Sequence, residues 1–344
     1  MQKVKAAKVP VPEAAEVIPR LRSAGIIDLS ARISGDGRFR FVPIANGRES
    51  EVADMGFDII EIPSRSEGSL SPLEKVQDAL AHLGGSVTGM LPDKWEIAGR
   101  TVTMKIDPSL SAYLGEIGDA YADALGVSAV YADVSGVHDE LRIPDVRLIH
   151  GEPCDAVKTE SGITYSWDPG RIMFASGNLV ERARMGKTDC SGETVVDMFA
   201  GIGYFTLPIA RFAGARRVIA CEKNPVSYGY LVRNISLNGL EDRVIPVLAD
   251  NRALCGKHFA DRIMMGYVQR TSEFVPKALS MAKPGCIIHY HDTFMVGTER
   301  EETERIFGGC TDAFEILSIR EVKSFAPNVS HYVADVRVRS DTFA

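Results

Sequence analysis

No two cysteines in this sequence are spaced as C-x-x-C, and the six cysteines among 344 residues stand singly. That scatter supplies neither a zinc-ligand pattern nor a disulfide framework and suits a reducing, cytoplasmic compartment. No apolar run approaches the roughly 20 residues that a bilayer-spanning helix needs, so no membrane partner is expected. The opening MQKVKAAKVPVPEAAEV carries positive charge without a continuous apolar core, which argues against a secretory signal. Basic residues are not in excess: 39 Lys and Arg stand against 46 Asp and Glu, a formal net charge of −7. Proteins that grip nucleic acid chiefly through counterion release are usually basic. Any RNA partner therefore has to be held by local patches. Two clusters qualify, Lys3, Lys5, Lys8, Arg20 and Arg22 near the start, and Arg171, Arg182, Arg184 and Lys187 further on. A solvated face is the other reading of each. Internal repeats and low-complexity tracts are absent. The histidines are dispersed except for His289 and His291 in IIHYHD. With no third ligand close in sequence, this pair reads as a strand end at a cleft, and no metal is expected.

What is present is an ordinary globular composition, 45% hydrophobic and 25% charged, in a chain long enough for two or three domains. IPSRSEGSLSP at 62–72 is the best linker. Residues 1–70 before it read as a small module with a strand at 39–44. After it, Ser71 caps a helix in which Pro72 takes the first turn, Glu74 completes a capping box and Gly84 is the stop. Leu73, Val76, Leu80 and Leu83 form its apolar stripe. RTVTMKI alternates as a half-buried strand, LSAYLGEIGDAYADALG has helical spacing, and CDAVKTESGITYSWDPG turns near Ser161 and Gly162 as a hairpin. Residues 71–167 are read as an α+β domain. From 168 to 344 the rhythm is strand, helix, strand, helix, which implies a buried parallel sheet covered on both faces. The last two strand-like runs have only a loop between them, so an antiparallel pair is expected at its edge.

VVDMFAGIGYFTLP, at 195–208, runs from a strand through two close glycines into a helix. In a doubly wound sheet, ligands sit at such carboxyl strand ends, and glycine lets backbone approach them. The dinucleotide fingerprint demands a third glycine, and here that place is Thr206, so a ligand without phosphates fits better. The next strand ends at Glu222, placed to accept from ribose hydroxyls, and the third ends at Asp250 and Asn251, beside the place of an adenine. Ribose and adenine without phosphate, with a cationic centre, describe S-adenosylmethionine. The plainer alternative makes Glu222 and Asp250 caps or loop residues.

VVDMFAGIGYFTLPIA, RIMFASGNLVERARM, LADNR and ADRIMMGYVQRT together resemble the wybutosine-synthesis protein 2 family, relatives of the tRNA guanine-N1 methyltransferases that act beside the anticodon. The resemblance runs from about residue 91 to the C-terminus and is thinner before the linker, where the methyltransferase relatives carry a small tRNA-contacting domain. It implies a Rossmann-like α/β transferase domain that uses S-adenosylmethionine. The amino-acid arm of that molecule, not its methyl, would pass to the tricyclic wyosine precursor, 4-demethylwyosine, 3′ of the anticodon in tRNA, phenylalanine tRNA by the same resemblance. It further implies cofactor contacts from Arg182, Gly201, Glu222, Asp250 and Asn251. The family's cofactor-contacting serine after "MF" falls at Ala175 here, and the serine that follows, Ser176, is the candidate for that contact. Glu193 matches a glutamate that the methyltransferases use as a base, and a partly exposed loop glutamate is the competing reading.

The methyltransferases of this fold commonly clamp a target nitrogen with Asn/Asp-Pro-Pro-Tyr or Asn-Leu-Pro after the fourth strand. Met265, Gly266 and Tyr267 stand there instead. Methionine offers no strong hydrogen-bond partner, glycine is expected to leave open space, and Tyr267 either stacks on a base or closes the core. A wider, less polar floor suits a bulky base. The rival readings are a tRNA guanine-N1 methyltransferase, a non-catalytic RNA-binding module and, disfavoured by Thr206, a nicotinamide dehydrogenase.

Overall fold

The computed structural model describes residues 3–28, 31, 33–63, 70–138, 143–174, 176–268 and 270–339. The middle of the expected linker, 64–69, lies outside them. The chain divides into two units, Met1–Gly84 and Gly85–Ala344.

In the first unit, strands Ser34–Gly35, Phe39–Pro43, Lys3–Pro10 and Asp58–Pro63 lie side by side in that order, all antiparallel. Helix Val11–Ser23 covers them, and Ala7, Val9, Leu21, Val42 and Val52 form the buried centre. The helix beginning at Pro72 has the expected capping box, with Ser71 and Glu74 bonded reciprocally. It gives way after Ala79 to a 3-10 turn, Ala81–Leu83, so Gly84 closes that turn and not the α-helix. Four of the five basic residues of the first cluster have partners in this unit. Lys3 pairs with Glu61 at 3.1 Å, Lys5 with Glu49 at 3.0 Å and Arg20 with Glu16 at 3.7 Å, while Lys8 lies over the Phe39 ring.

The second unit opens with a four-stranded sheet, Glu96–Ala98, Thr101–Lys105, Ala129–His138 and Ile143–Gly151, with helix Leu114–Leu125 between its second and third strands. The hairpin Ala156–Glu160 and Ile163–Trp167 turns at Ser161 and Gly162 as expected. It touches the preceding sheet at Ala98 and Gly99 but shares its core chiefly with the large sheet. Ile163, Tyr165 and Trp167 share a core with Val195, Leu207 and Leu231, and Asn234 bonds the backbone of Ser166.

The large sheet consists of β1 (Thr194–Asp197), β2 (Arg217–Glu222), β3 (Val244–Leu248), β4 (Ala260–Met265), β5 (Ala282–Met295), β6 (Phe314–Ala326) and β7 (Val329–Val338). Its spatial order is β3-β2-β1-β4-β5-β7-β6, parallel through β5, with β7 antiparallel between β5 and β6. Helices α1 (Leu179–Lys187), α2 (Thr206–Phe212), α3 (Pro225–Leu237), α4 (Val275–Met281) and α5 (Glu299–Gly308) accompany it. Burial on both faces explains why β1 is wholly buried: Val195 enters one core cluster and its neighbour Val196 the other. The order reverses between β1 and β4. A crevice is expected at the carboxyl ends there.

Candidate active site

A cavity of about 630 Å³ opens at those strand ends. Gly201 and Gly203 follow β1 with φ of +56° and +104°, values that side chains rarely tolerate. A Cβ on Gly203 would meet Leu207 at 2.7 Å, so the glycine also permits the close docking of α2. Thr206, the residue in place of a third glycine, has a structural use. Its hydroxyl donates to Asp197 Oδ2 at 2.7 Å and ties the start of α2 to the end of β1. Asp197 is fully buried, and that burial pushes its carboxyl up to about 6, against the hydrogen bonds from Thr206 and Phe199.

Glu222 closes the loop from the β2 side. Its Oε2 accepts from Gly201 N–H and its Oε1 from Asn224 N–H, each at 2.7 Å. Burial raises its carboxyl above the ordinary range, and backbone donors at Asn224, Gly201 and Lys223 work in the other direction. A carboxylate offers about four acceptor sites, so capacity remains beyond these donors. Asn224 caps α3 and lines the cavity. Asp250 caps the turn after β3, and Arg252 grips it through Nε at 2.9 Å and Nη2 at 2.6 Å. Those hydrogen bonds, with Lys223 nearby, hold its carboxyl well below the usual range. Asn251 donates Nδ2 to Met198 O at 2.9 Å, while its buried Oδ1 has no hydrogen-bond partner among the described residues.

Arg182 of α1 is buried at the cavity wall, bonded to Glu160 at 2.6 Å and lying against the Phe174 and Tyr204 rings. Ser176 opens the 3-10 turn just before α1. Its neighbours Gly177 and Asn178 line the cavity, its own side chain is not described, and Ala175 lies outside the described residues. Thus Arg182, Gly201, Glu222, Asp250 and Asn251 are gathered at one cavity.

Glu193 is not among them. It precedes β1 and so stands at the amino end of the sheet, opposite the cavity. There Arg262 of β4 holds it by a fork, Nε to Oε2 at 2.6 Å and Nη2 to Oε1 at 2.8 Å. A carboxylate held this way is a structural anion, and the expectation of a base at Glu193 is withdrawn. Arg184 is likewise no surface cation, since it pairs with Glu181 at 2.6 Å and Asp335 at 3.6 Å. Exposed Arg171, Lys105 and Lys323 line the cavity's mouth instead.

The floor after β4 differs from expectation in one respect. Gly266 leaves no open space, because a Cβ there would lie 2.9 Å from the Phe205 ring. Tyr267 stacks on Phe199 with centroids 5.0 Å apart, and Phe274 meets both rings edge-on. Val268 beside them has φ +69°, an uncommon conformation for a β-branched residue.

His289 and His291 point into a polar layer of the sheet. His289 accepts from Arg262 Nη1 at 2.9 Å and contacts Asp335 Oδ1 through Nδ1 at 2.6 Å. His291 Nδ1 lies 3.1 Å from Nε2 of His331, a buried residue that lines the cavity. Among the described residues no group of three or more potential ligands is arranged for a metal. No helix among them is long and apolar enough to cross a membrane.

Sequence reading missed Asn178, Asn224 and His331. The two asparagines are ordinary cap-type residues whose value shows only when the cavity is closed around them. His331 had a visible signal, a histidine inside an apolar alternating run, but nothing in sequence marks its partner.

The TRM5/TYW2 methyltransferase domain family matches residues 156–313, and the TYW2 N-terminal domain family matches residues 77–154. The tRNA(Phe) (4-demethylwyosine(37)-C(7)) aminocarboxypropyltransferase of Pyrococcus horikoshii is 44% identical over 253 residues, spanning 72% of this chain and 90% of that protein. The crystal structure of P. horikoshii TYW2 in complex with MeSAdo matches with a TM-score of 0.69 at 40% identity, covering 78% of this chain and 99% of that one. The tRNA (guanine(37)-N(1))-methyltransferase Trm5b of Pyrococcus abyssi is 30% identical over 343 residues, 97% of this chain and 98% of that protein. With an S-adenosylmethionine-type pocket on this sheet order and relatives that match most of its length, the chain belongs to the TYW2, or wybutosine-synthesis protein 2, family.

Proposed function

We propose that this protein transfers the 3-amino-3-carboxypropyl group of S-adenosylmethionine to C7 of 4-demethylwyosine at position 37 of phenylalanine tRNA, releasing methylthioadenosine. The observation that carries the choice of arm over methyl is the floor after β4. Gly266 and the stacked pair Tyr267 and Phe199 line it, with Met265 buried behind them, where an amide clamp for a target nitrogen would stand. An aromatic, weakly polar wall suits a flat tricyclic base held by stacking.

The pocket fits the co-substrate by its own unsatisfied chemistry. Glu222 lines the cavity as a carboxylate suited to accept from ribose hydroxyls, and Asn251 Oδ1 is a buried, unpartnered acceptor suited to an adenine amino group. Asp250 is engaged by Arg252, which assigns it to shaping the turn. Arg182 is the cation for the arm's carboxylate, and the buried, unpartnered Oδ1 of Asn178 is an acceptor for its ammonium. When bound, the sulfonium supplies an already activated alkyl carbon. The protein's contribution is therefore orientation and electrostatics. Residues 1–84 are assigned to tRNA contact. Support comes from the tRNA methyltransferase that matches 97% of the chain, where the TYW2 structure matches 78%.

The test is to incubate the protein with S-adenosylmethionine and tRNA carrying 4-demethylwyosine, then analyse nucleosides and small molecules by mass. An added amino-acid side chain with methylthioadenosine is expected. S-Adenosylhomocysteine with a singly methylated guanosine would instead make the protein a guanine-N1 methyltransferase.

A further inference from the structure

The adenosine subsite is built on the ends of β1, β2 and β3, at Gly201, Glu222 and Asn251. The rest of the cavity lies over β4 and β7, where Gly266, Tyr267, Val268 and His331 line it. That half is left for the acceptor base. Alkylation at a ring carbon has a requirement that methylation at nitrogen shares: a proton must leave the atom that gains the new bond. In the acceptor half, His331 is the buried side chain suited to receive it.

The surroundings of His331 select its tautomer. On the shared face of the sheet, His331 pairs in register with Thr293 of β5 and with Lys323 of β6. His291, also on this face, has Nδ1 3.1 Å from His331 Nε2 and Nε2 3.9 Å from Glu181 Oε1 of α1. His291 is kept neutral: burial lowers it first, then the neighbouring His331, His289 and Arg184, against the opposing pull of Asp335. A neutral imidazole carries one N–H. His291 Nε2 makes no hydrogen bond among the described residues; Glu181 Oε1, bonded to Arg184 Nη2, stands 3.9 Å from it, and a hydrogen on Nε2 facing that carboxylate leaves His291 Nδ1 as an acceptor. His331 then donates Nε2–H to it, and its own lone pair is on Nδ1. Glu181, His291 and His331 thus form a line in which a positive charge arriving at the last ring is stabilised by the first carboxylate.

We propose that His331 is the base that takes the ring-carbon proton during transfer, with His291 and Glu181 as its positioning residues. This rests on the aminocarboxypropyl transfer above. The base's ring carbon forms a bond to the alkyl carbon next to sulfur, the carbon–sulfur bond breaks, and its electron pair remains on sulfur, giving neutral methylthioadenosine. The C–H proton of the now cationic ring passes to Nδ1 of His331, and the C–H electron pair restores aromaticity. The imidazolium then returns its proton to water. The charged and titratable groups around this line are Glu181 and Arg184 of α1, His289 of β5, Asp335 of β7 and Lys323 of β6.

Two measurements test this. In the ligand-free wild-type protein labelled with 15N-histidine, His331 should show the Nε2–H tautomer at neutral pH, and the opposite tautomer would overturn the assignment. In single-turnover assays, His331→Ala should lower the transfer rate about 10²-fold or more. It should lose the acidic limb of the pH profile, recover part of the rate with added imidazole, and keep its melting temperature and its affinity for methylthioadenosine. An unchanged rate, or a lowered rate with the same pH profile and no imidazole rescue, would overturn the proposal. Should His331→Ala not fold, the wild-type tautomer and pH profile decide alone. Absence of methylthioadenosine from the wild-type reaction would sink the transfer reading itself, a result distinct from any of these.

Discussion

Replacing Glu222 probes the centre of the pocket, because one carboxylate both holds the glycine loop and faces the ribose. It accepts Gly201 N–H and Asn224 N–H at 2.7 Å each. Bound ligand adds two hydroxyl donors to the remaining lone pairs. Hydrogen bonds to a charged acceptor contribute roughly 1.5–3 kcal/mol each, so removing both ribose hydrogen bonds amounts to about 3–6 kcal/mol. That corresponds to a Kd weaker by roughly 10²–10⁴-fold. Glu222→Ala should show this in titration calorimetry with methylthioadenosine, together with a lower melting temperature from the freed loop. Glu222→Gln separates the effects: one acceptor oxygen survives, but an NH₂ group now opposes a backbone donor, so affinity should fall less and the fold should hold better. Burial raises the carboxyl, and the hydroxyls need the ionised form. Binding to the wild type should therefore strengthen as pH rises through that raised pKa, while the Gln variant stays flat. A folded Glu222→Ala protein with unchanged affinity would refute the ribose assignment.

Other outcomes follow from the same structure. Glu193→Ala leaves Arg262 buried without its carboxylate, so stability should fall by about 3–5 kcal/mol in denaturant melts while the transfer rate per folded molecule persists. A pH-rate profile altered by Glu193→Gln would restore Glu193 as a base. Charge reversal of Lys105, Arg171 and Lys323 should weaken tRNA binding and flatten its salt dependence by about one unit of slope for each phosphate no longer neutralised. An unaltered slope would make this rim a solvated face. Asp197 is held at about 6 against an ordinary 3.8, so the fold favours its protonated form. Its contribution is full below the unfolded pKa and lost as pH rises through about 6, a change of up to about 3 kcal/mol. Asp197→Asn should remove that component from stability measured by melting across pH.

What the sequence determined by itself is whatever neighbours a few positions apart decide. The Ser71 and Glu74 capping box, the turn at Ser161 and Gly162, and the glycine loop after β1 are local patterns, and each is present. The strand ends at Glu222, Asp250 and Asn251 were legible for a related reason, since a parallel sheet of short strands places every carboxyl end on one side. Glu193 failed that rule by four positions: a residue before a strand lies at the opposite end from a residue after it. Its partner Arg262 is 69 positions away, and His331 meets His291 across 40. Those pairings exist only because β4, β5 and β7 are adjacent in the finished sheet, and no local preference encodes that adjacency. The packing of the sheet also decided that Arg184 is an internal ion-pair partner and that Gly266 makes room for Phe205 and not for a ligand. Burial and strand order, both long-range properties, turned a set of polar residues into a site.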